Sequence, residues 1–575
     1  MTTPAPGIRL ARNVDELCAD HLTSGLHLHV ASTMSRPNAL VLAVARSFAR
    51  RGTFEVSVNA MHASMHALVM AGVISRAVTC FAGDTVPSAR PNPLYARLPE
   101  GVPFPVEEWS LLSLLQRLVA GATQTPGAVT GSLVGSSLPT GRAAPLPVVS
   151  TDTSGARPAV LVPPLTPDVT LLHAHYADQL GNLYLSGPAG EGWWGALAAR
   201  QGVLATVEAV CDQAPPGAVT VVPAERVLGV AVCPFGAHPQ GLSPMPGTDV
   251  VGYLDDYAFL TDLAAACVHP ATCREWFRQW VSGSGGHDGY LDRLGPTRLA
   301  ALTVDVPAAT LASPPAAVRA RGPTKVASGA ASDREWHVVM AARAIARAVE
   351  SRGYRTVLAG LGVSHLACWL AAHQLETSGV HVDLVNELGM IDFTPEPGDT
   401  FLFSQRHVAR ARLLAGTLDV LGGLVAGDRG RTLGVLSAAQ IDVLGNVNTS
   451  RTSSGAFLVG SGGANDVASH VDTMIVAPAS PARYVPAVDF ITSPGRTVRW
   501  VVADFGEFER DGGTEPFTLT TWFPAPRVAG LAPVDAVAQL TAWGSGVARR
   551  LRHEPPLTTP ELALLRSIDP EGVYR

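Results

Sequence analysis

Lysine is almost missing from this chain: Lys325 is the single one, and arginine carries nearly all the positive charge. With a formal net charge of −6 there is no basic surplus to draw nucleic acid, and none is expected as a partner. The cysteines, at 18, 80, 211, 233, 267, 273 and 368, are odd in number and contain no Cys-x-x-Cys pair. That pattern opposes a disulfide scaffold or a structural zinc site and favours reduced thiols. No uncharged apolar run reaches about 18 residues. The longest apolar stretches, 359–372 and 413–426, contain His365 and Asp419, so no membrane association is expected. The opening Met1-Thr-Thr-Pro-Ala-Pro-Gly7 has no basic segment ahead of an apolar core, which predicts a soluble, cytoplasmic protein without a secretory signal. A Gly-x-Ser-x-Gly elbow is also lacking, which disfavours a serine esterase.

Two stretches stand out against these absences. Val380-His-Val-Asp-Leu-Val-Asn-Glu-Leu-Gly-Met390 alternates as a strand does and ends in a carboxylate. Glu387 therefore sits at a strand's carboxyl end, where open α/β sheets keep their sites, and is the first candidate nucleophile. Further on, Gly460-Ser-Gly-Gly-Ala-Asn-Asp466 follows a second β-type run, 456–459, and precedes a helix-like stretch from Asp466 to Thr473. Glycines leading into a helix expose backbone N–H groups that can hold an anion or a developing oxyanion. A carboxylate nucleophile beside such a cradle suggests acyl chemistry. Singly each signal is weak, since a lone strand-end glutamate is usually solvated and glycine-rich turns are common. The dinucleotide pattern fails, because Asn465 and His365 stand where a third glycine belongs.

At 575 residues the chain exceeds a single core. From Gly25 it reads strand (26–31), turn, helix (38–50), strand (54–58), then Asn59-Ala-Met; from Arg355 it reads strand (356–360), turn, helix (365–375), strand (380–385), then Asn386-Glu-Leu. The alignment sets Ala60 against Glu387. Asp178-Gln-Leu-Gly-Asn182 recurs as Asp442-Val-Leu-Gly-Asn446, each a tight turn with glycine free to take positive φ. The expectation is an α/β protein of two tandem, duplicated, open and mainly parallel-sheet domains, 1–307 and 333–575. The small, proline-broken stretch 308–332 would be the linker. Helical sequence over 263–281 closes the first half, and its Trp276 and Trp280 are read as packing.

At these residues the chain resembles the family I coenzyme A transferases, most closely the glutaconate CoA-transferase type with its α and β subunits fused. The first half resembles the α subunit through Arg36-Pro37, His173-Ala-His-Tyr-Ala-Asp-Gln-Leu-Gly-Asn182, Val207-Glu208 and Phe235-Gly-Ala-His-Pro239. The second is similar to the β subunit through Asn386-Glu-Leu-Gly389, Gly445-Asn-Val-Asn448, Gly460 to Asp466, Val488 to Gly495 and Val502-Ala-Asp-Phe-Gly506. The resemblance implies ping-pong transfer of CoA between an acyl-CoA and a carboxylic acid through a glutamyl-CoA thioester on Glu387. It implies that Gly460, Ser461, Gly462 and Gly463 line the CoA site, and that Asn446, with Asn448 as the alternate, faces the oxyanion. Arg36, His62 and Ser64 fall in the half that shapes the acyl pocket. CoA enters as substrate, with no permanently bound cofactor and no metal; a homo-oligomer is compatible with this picture.

Two other chemistries compete. His173 and His175 on one strand face, with Asp178 near, could begin a metal site, but no second cluster completes it. A CoA-thioester hydrolase or ring-opening hydrolase on the same scaffold is the nearer rival, because fold alone does not fix the reaction.

Overall fold

The structure, a computed structural model, describes residues 7–32, 35–140, 145–149, 158–216, 218, 220–245, 247–304, 329–511 and 515–574. Of the expected linker 308–332, the part up to 328 lies outside the described residues. Its end leads into the helix Asp333–Arg352, which begins with a reciprocal cap: Ser332 Oγ accepts from Glu335 N at 3.1 Å and Glu335 Oε2 from Ser332 N at 2.8 Å.

Each half is built on its own sheet. In the first, strands Phe54–Ser57, His27–Val30, Val169–Asp178, Gly202–Cys211 and Val227–Val232 lie side by side and parallel. In the second, Asp383–Val385, Thr356–Ala359, Thr432–Leu436, Asp472–Val476 and Val498–Val502 repeat the same order, again parallel. The order is that of a doubly covered α/β sheet, and helices such as Asn38–Phe48 and Val363–Thr377 bury apolar faces against it. The predicted elements fall within a few residues of these, the second-half strand being shorter, Asp383–Val385.

The repeated pentapeptide closes with the same bonds in both copies. Asp178 Oδ1 accepts from Leu180 N and Asn182 N, both at 2.9 Å, as Asp442 Oδ1 does from Leu444 N and Asn446 N, both at 2.9 Å. Gly181 and Gly445 take φ of +95° and +77°, which only glycine adopts at little cost. The duplication read from five residues is thus repeated bond for bond.

The halves differ at the strand that leads to the candidate site. Phe54–Ser57 pairs onward with the parallel strand Ile74–Thr79, whereas Asp383–Val385 turns back at once into the antiparallel Met390–Phe393. The helical region after residue 256 begins with Tyr257–Ala266 and Pro270–Phe277, runs on through Arg278–Ser282, Gly286–Leu294 and Pro296–Leu302, and packs Trp276 and Trp280 edge-on to Phe259 at 5.9 and 4.9 Å. No helix among the described residues is long and apolar enough to cross a membrane.

Candidate active site

Glu387 is carried on the reversal between Asp383–Val385 and Met390–Phe393. Asn386 locks that turn: its N–H donates to Met390 O at 3.1 Å, and its Oδ1 accepts from the amides of Leu388, Gly389 and Met390 at 3.2, 3.2 and 3.1 Å. Gly389 has φ +120°, and a methyl there would lie 2.2 Å from Ala415 O. A buried asparagine with three backbone donors on one oxygen fixes the direction in which the next side chain points.

The Glu387 carboxylate is half-buried against Gly463, where an added Cβ would stand 2.0 Å from Oε2. The Gly463 amide donates to it. Burial pushes Glu387 up to about 7, the charge of Asp466 adds to this, and the Gly463 amide opposes it. Asp466 is itself wholly buried and raised to about 6 by burial, although Ser110 Oγ and Leu112 N donate to it at 2.6 and 2.8 Å.

Gly460, Ser461, Gly462 and Gly463 line a cavity together with Glu387, while the elements on either side of them differ from those read in the sequence. Residues 456–459 form no strand of either sheet; they run along the first half, where Ala82 N donates to Val459 O at 2.9 Å and Phe457 N to Ala96 O at 2.9 Å. The helix after the glycines spans Ala464–His470 and is shorter than expected. Gly460 N is spent on Thr449 O at 3.0 Å and Gly462 N on Cys80 O at 2.8 Å. These glycines allow the two halves to close together, since a Cβ on Gly460 would meet Cys80 O at 2.8 Å. Of the expected cradle, the Gly463 amide is the one turned to the carboxylate.

The asparagines also depart from expectation. Asn446 Nδ2 donates to Asp442 Oδ2 at 3.1 Å and its Oδ1 accepts from Gly495 N at 2.9 Å. Asn182, its counterpart, does the same with Asp178 and Ala224 N at 2.7 and 2.9 Å. Asn448 is fully buried, with Nδ2 donating to Gln440 Oε1 and Arg451 O at 2.9 and 2.6 Å. Neither lines the cavity that holds Glu387: Asp442 and Gly495 take up the Asn446 carboxamide, and Gln440, Ser450 and Arg451 that of Asn448. His173 and His175 do not converge either: one is bonded to Glu208 and Thr206, each at 2.9 Å, the other to Ser243 O at 2.7 Å.

That cavity, about 750 Å³, lies between the halves. Glu387 and residues 460–464 face Cys80, Asn59, Ala60, His62 and Arg36 across it. The Cys80 thiol donates to Asn59 O at 2.6 Å and is held neutral by burial. Burial brings Arg36 down to about 10, leaving it a cation at neutral pH, and holds His62 well below its ordinary value, hence neutral. Ser64 is buried away from this wall. Sequence reasoning left Cys80, Asp466 and Asn386 without roles; only the last had a signal, its place directly before the strand-end glutamate.

Residues 11–223 match the family described as Coenzyme A transferase. Among curated relatives, one subunit of the 3-oxoadipate CoA-transferase of Pseudomonas knackmussii is 35% identical over 136 residues, 24% of this chain and 47% of that one. One subunit of the glutaconate CoA-transferase of Acidaminococcus fermentans is 27% identical over 166 residues, 25% of this chain and 59% of that one. Residues 11–223 are thus similar to a coenzyme A transferase domain. The chain spans about half the length of the curated relatives it matches. An acyl-CoA transferase from Escherichia coli O157:H7, solved as a thioester complex with CoA, has a similar fold: TM-score 0.65 and 13% identity, covering 96% of this chain and 95% of that one.

Proposed function

We propose that this protein moves coenzyme A from an acyl-CoA to a carboxylic acid, passing it through a thioester on Glu387. The observation that carries this is the Glu387 carboxylate, fixed by the Asn386 turn and set over Gly463 in a cavity lined by both halves. Residues 1–307 would shape the acyl end and residues 333–575 would supply the nucleophile, with 460–463 lining the CoA path. The two curated relatives are each a single subunit of a CoA-transferase, which agrees with both functions residing in one chain here.

Exchange between acids must conserve the thioester, and a carboxylate nucleophile does this without a metal or an electron carrier. Glu387 Oε attacks the thioester carbonyl, the C–S bond breaks, and CoA thiolate leaves a mixed anhydride. The thiolate then attacks the Glu387 acyl carbon and expels the donor acid as its carboxylate. An acceptor carboxylate reverses both steps, leaving as its CoA ester and restoring Glu387. No net proton moves. The oxyanion on the way would be met by the Gly463 amide, and one such fixed donor is worth about 3–4 kcal/mol of barrier.

A carboxyl with its pKa at about 7 is also suited to activating water, which favours thioester hydrolysis as the second reading. Mass spectrometry of protein mixed with an acyl-CoA separates them: the transferase accumulates a CoA adduct at Glu387 and needs an acid to turn over. Release of free CoA with no adduct and no dependence on an acid would refute the transferase.

A further inference from the structure

A second cavity, about 590 Å³, lies within the first half and shares no lining residue with the one that holds Glu387. Met70 and Phe277 make part of its wall apolar, exposed Arg50 and Arg274 bring positive charge to it, and two cysteines, Cys267 and Cys273, open into it.

The two thiols meet because a corner between helices brings them round. Cys267 ends the helix Tyr257–Ala266, its N–H donating to Leu263 O and Ala264 O at 3.1 and 3.2 Å. After Val268 and His269, Pro270 opens the helix Pro270–Phe277 with the fixed φ that suits a first helical residue. Cys273 lies in that helix, and its N–H donates to His269 O at 3.0 Å. With both backbones held in this way, the Cys267 thiol donates to Cys273 Sγ. The buried Asn92 amide steadies the donor sulfur by bonding to it, and it also donates to Asp84 Oδ1 at 3.1 Å.

The two sulfurs are unlike, which is what stepwise oxidation needs. Cys273 is half-buried, and the hydrogen bond from Cys267 lowers its pKa, with the Arg274 charge acting the same way. That bond, together with burial, raises Cys267, which is 4% exposed. Thiolate character and access decide which cysteine an oxidant meets first. The other five cysteines, all described, do not compete. Burial raises Cys18, Cys80, Cys233 and Cys368, and half-buried Cys211 is raised by burial and by the charge of Asp178.

We propose that Cys267 and Cys273 are a thiol oxidation site, at which a hydroperoxide converts the contacting pair to a disulfide. Hydrogen peroxide is the simplest such reagent, and it is small enough to reach Cys273 through the cavity. The Cys273 thiolate attacks one peroxide oxygen and the O–O bond breaks. Hydroxide leaves, takes up the proton lost by the thiol and departs as water, and Cys273 becomes a sulfenic acid. Cys267 sulfur then attacks Cys273 sulfur, the S–O bond breaks, and the leaving hydroxide carries off the Cys267 proton as a second water. Two thiols lose two electrons, and the peroxide gains them. A resolving thiol already in contact favours the disulfide over further oxidation of the sulfenic acid. The site stands apart from the transferase reading and does not depend on it.

The test exposes the reduced full chain to stoichiometric hydrogen peroxide, blocks the remaining thiols with N-ethylmaleimide in denaturant, and maps peptides by mass spectrometry. Cleavage that places Cys233 on another peptide isolates the pair. The expected product is the peptide of Cys267 and Cys273 lighter by two hydrogens, unlabelled at both and restored by dithiothreitol. It should form about tenfold or more faster than label is lost at Cys211. In Cys267→Ser the same treatment should leave a sulfenic acid on Cys273 that dimedone captures. Oxidation that reaches any of the other five cysteines first overturns the proposal. So does Cys273 passing to a sulfinic acid with no disulfide in the unsubstituted protein, whether or not the variant folds.

Discussion

Two adjacent glycines, 462 and 463, should answer the same substitution in opposite ways. Gly463 has φ −84°, which alanine adopts without strain, but the added Cβ would lie 2.0 Å from Glu387 Oε2. Ordinary contact begins near 3.5 Å, so the carboxylate must retreat by roughly 1.5 Å. The atom in the way is the end of a rotatable side chain, and a retreat costs stability only about 1 kcal/mol. Activity should suffer far more, because a 1 Å error in a reacting group costs about 100-fold. Gly462 is the reverse case. Its φ is +51° and nothing lies within 4 Å of a Cβ there, so Gly462→Ala should lose roughly 1–2 kcal/mol through backbone strain and less activity than its neighbour. CoA exchange between an acyl-CoA and an acid, measured beside urea denaturation midpoints for both variants, gives the comparison. Full exchange activity in Gly463→Ala would show that the position of Glu387 over this glycine has no part in the reaction.

Three further outcomes follow from the same geometry. Glu387→Gln should be more stable than the parent by roughly 2–3 kcal/mol above pH 7 and equal to it below pH 4.5, because the folded state raises this carboxyl from 4.5 to about 7 and the stability of the parent falls as pH rises between the two; a difference flat across pH 4.5–8 in denaturant titrations would contradict the raised value. Asp466→Asn removes the negative charge that helps raise Glu387, so the rising limb of the pH profile for adduct formation should move to lower pH, and a profile that stays put would exclude the coupling. Asn182→Ala and Asn446→Ala should each cost about 1–2 kcal/mol by opening equivalent turns, and a far larger loss of exchange in Asn446→Ala than in Asn182→Ala would restore Asn446 to the chemistry.

Much of this could be read from one dimension. Alternation and turn chemistry placed the strands around His27–Val30 and Thr356–Ala359, and Asp-x-Leu-Gly-Asn announced the duplication, because such signals are local. The place of Glu387 just after a strand was legible too, and the strand Asp383–Val385 does precede it. The glycine-rich segment was legible only in part: glycine serves anion binding and close chain approach equally, and Cys80, whose carbonyl takes the Gly462 amide, lies hundreds of residues away in the chain. The asparagines of the Gly445-Asn446-Val447-Asn448 run are ambiguous in the same way, since an amide that caps a turn and one that meets an oxyanion look alike in sequence. The charge environment of Glu387, set by Asp466 and the buried wall, has no sequence signal.

Asp466 belongs to the second half, yet its carboxylate is housed at the start of the helix Leu111–Ala122 in the first. Prising the halves apart would strip that acid of its donors along with the Gly462 to Cys80 and Ala82 to Val459 links. The two halves are therefore fastened to each other directly beside the Glu387 carboxylate.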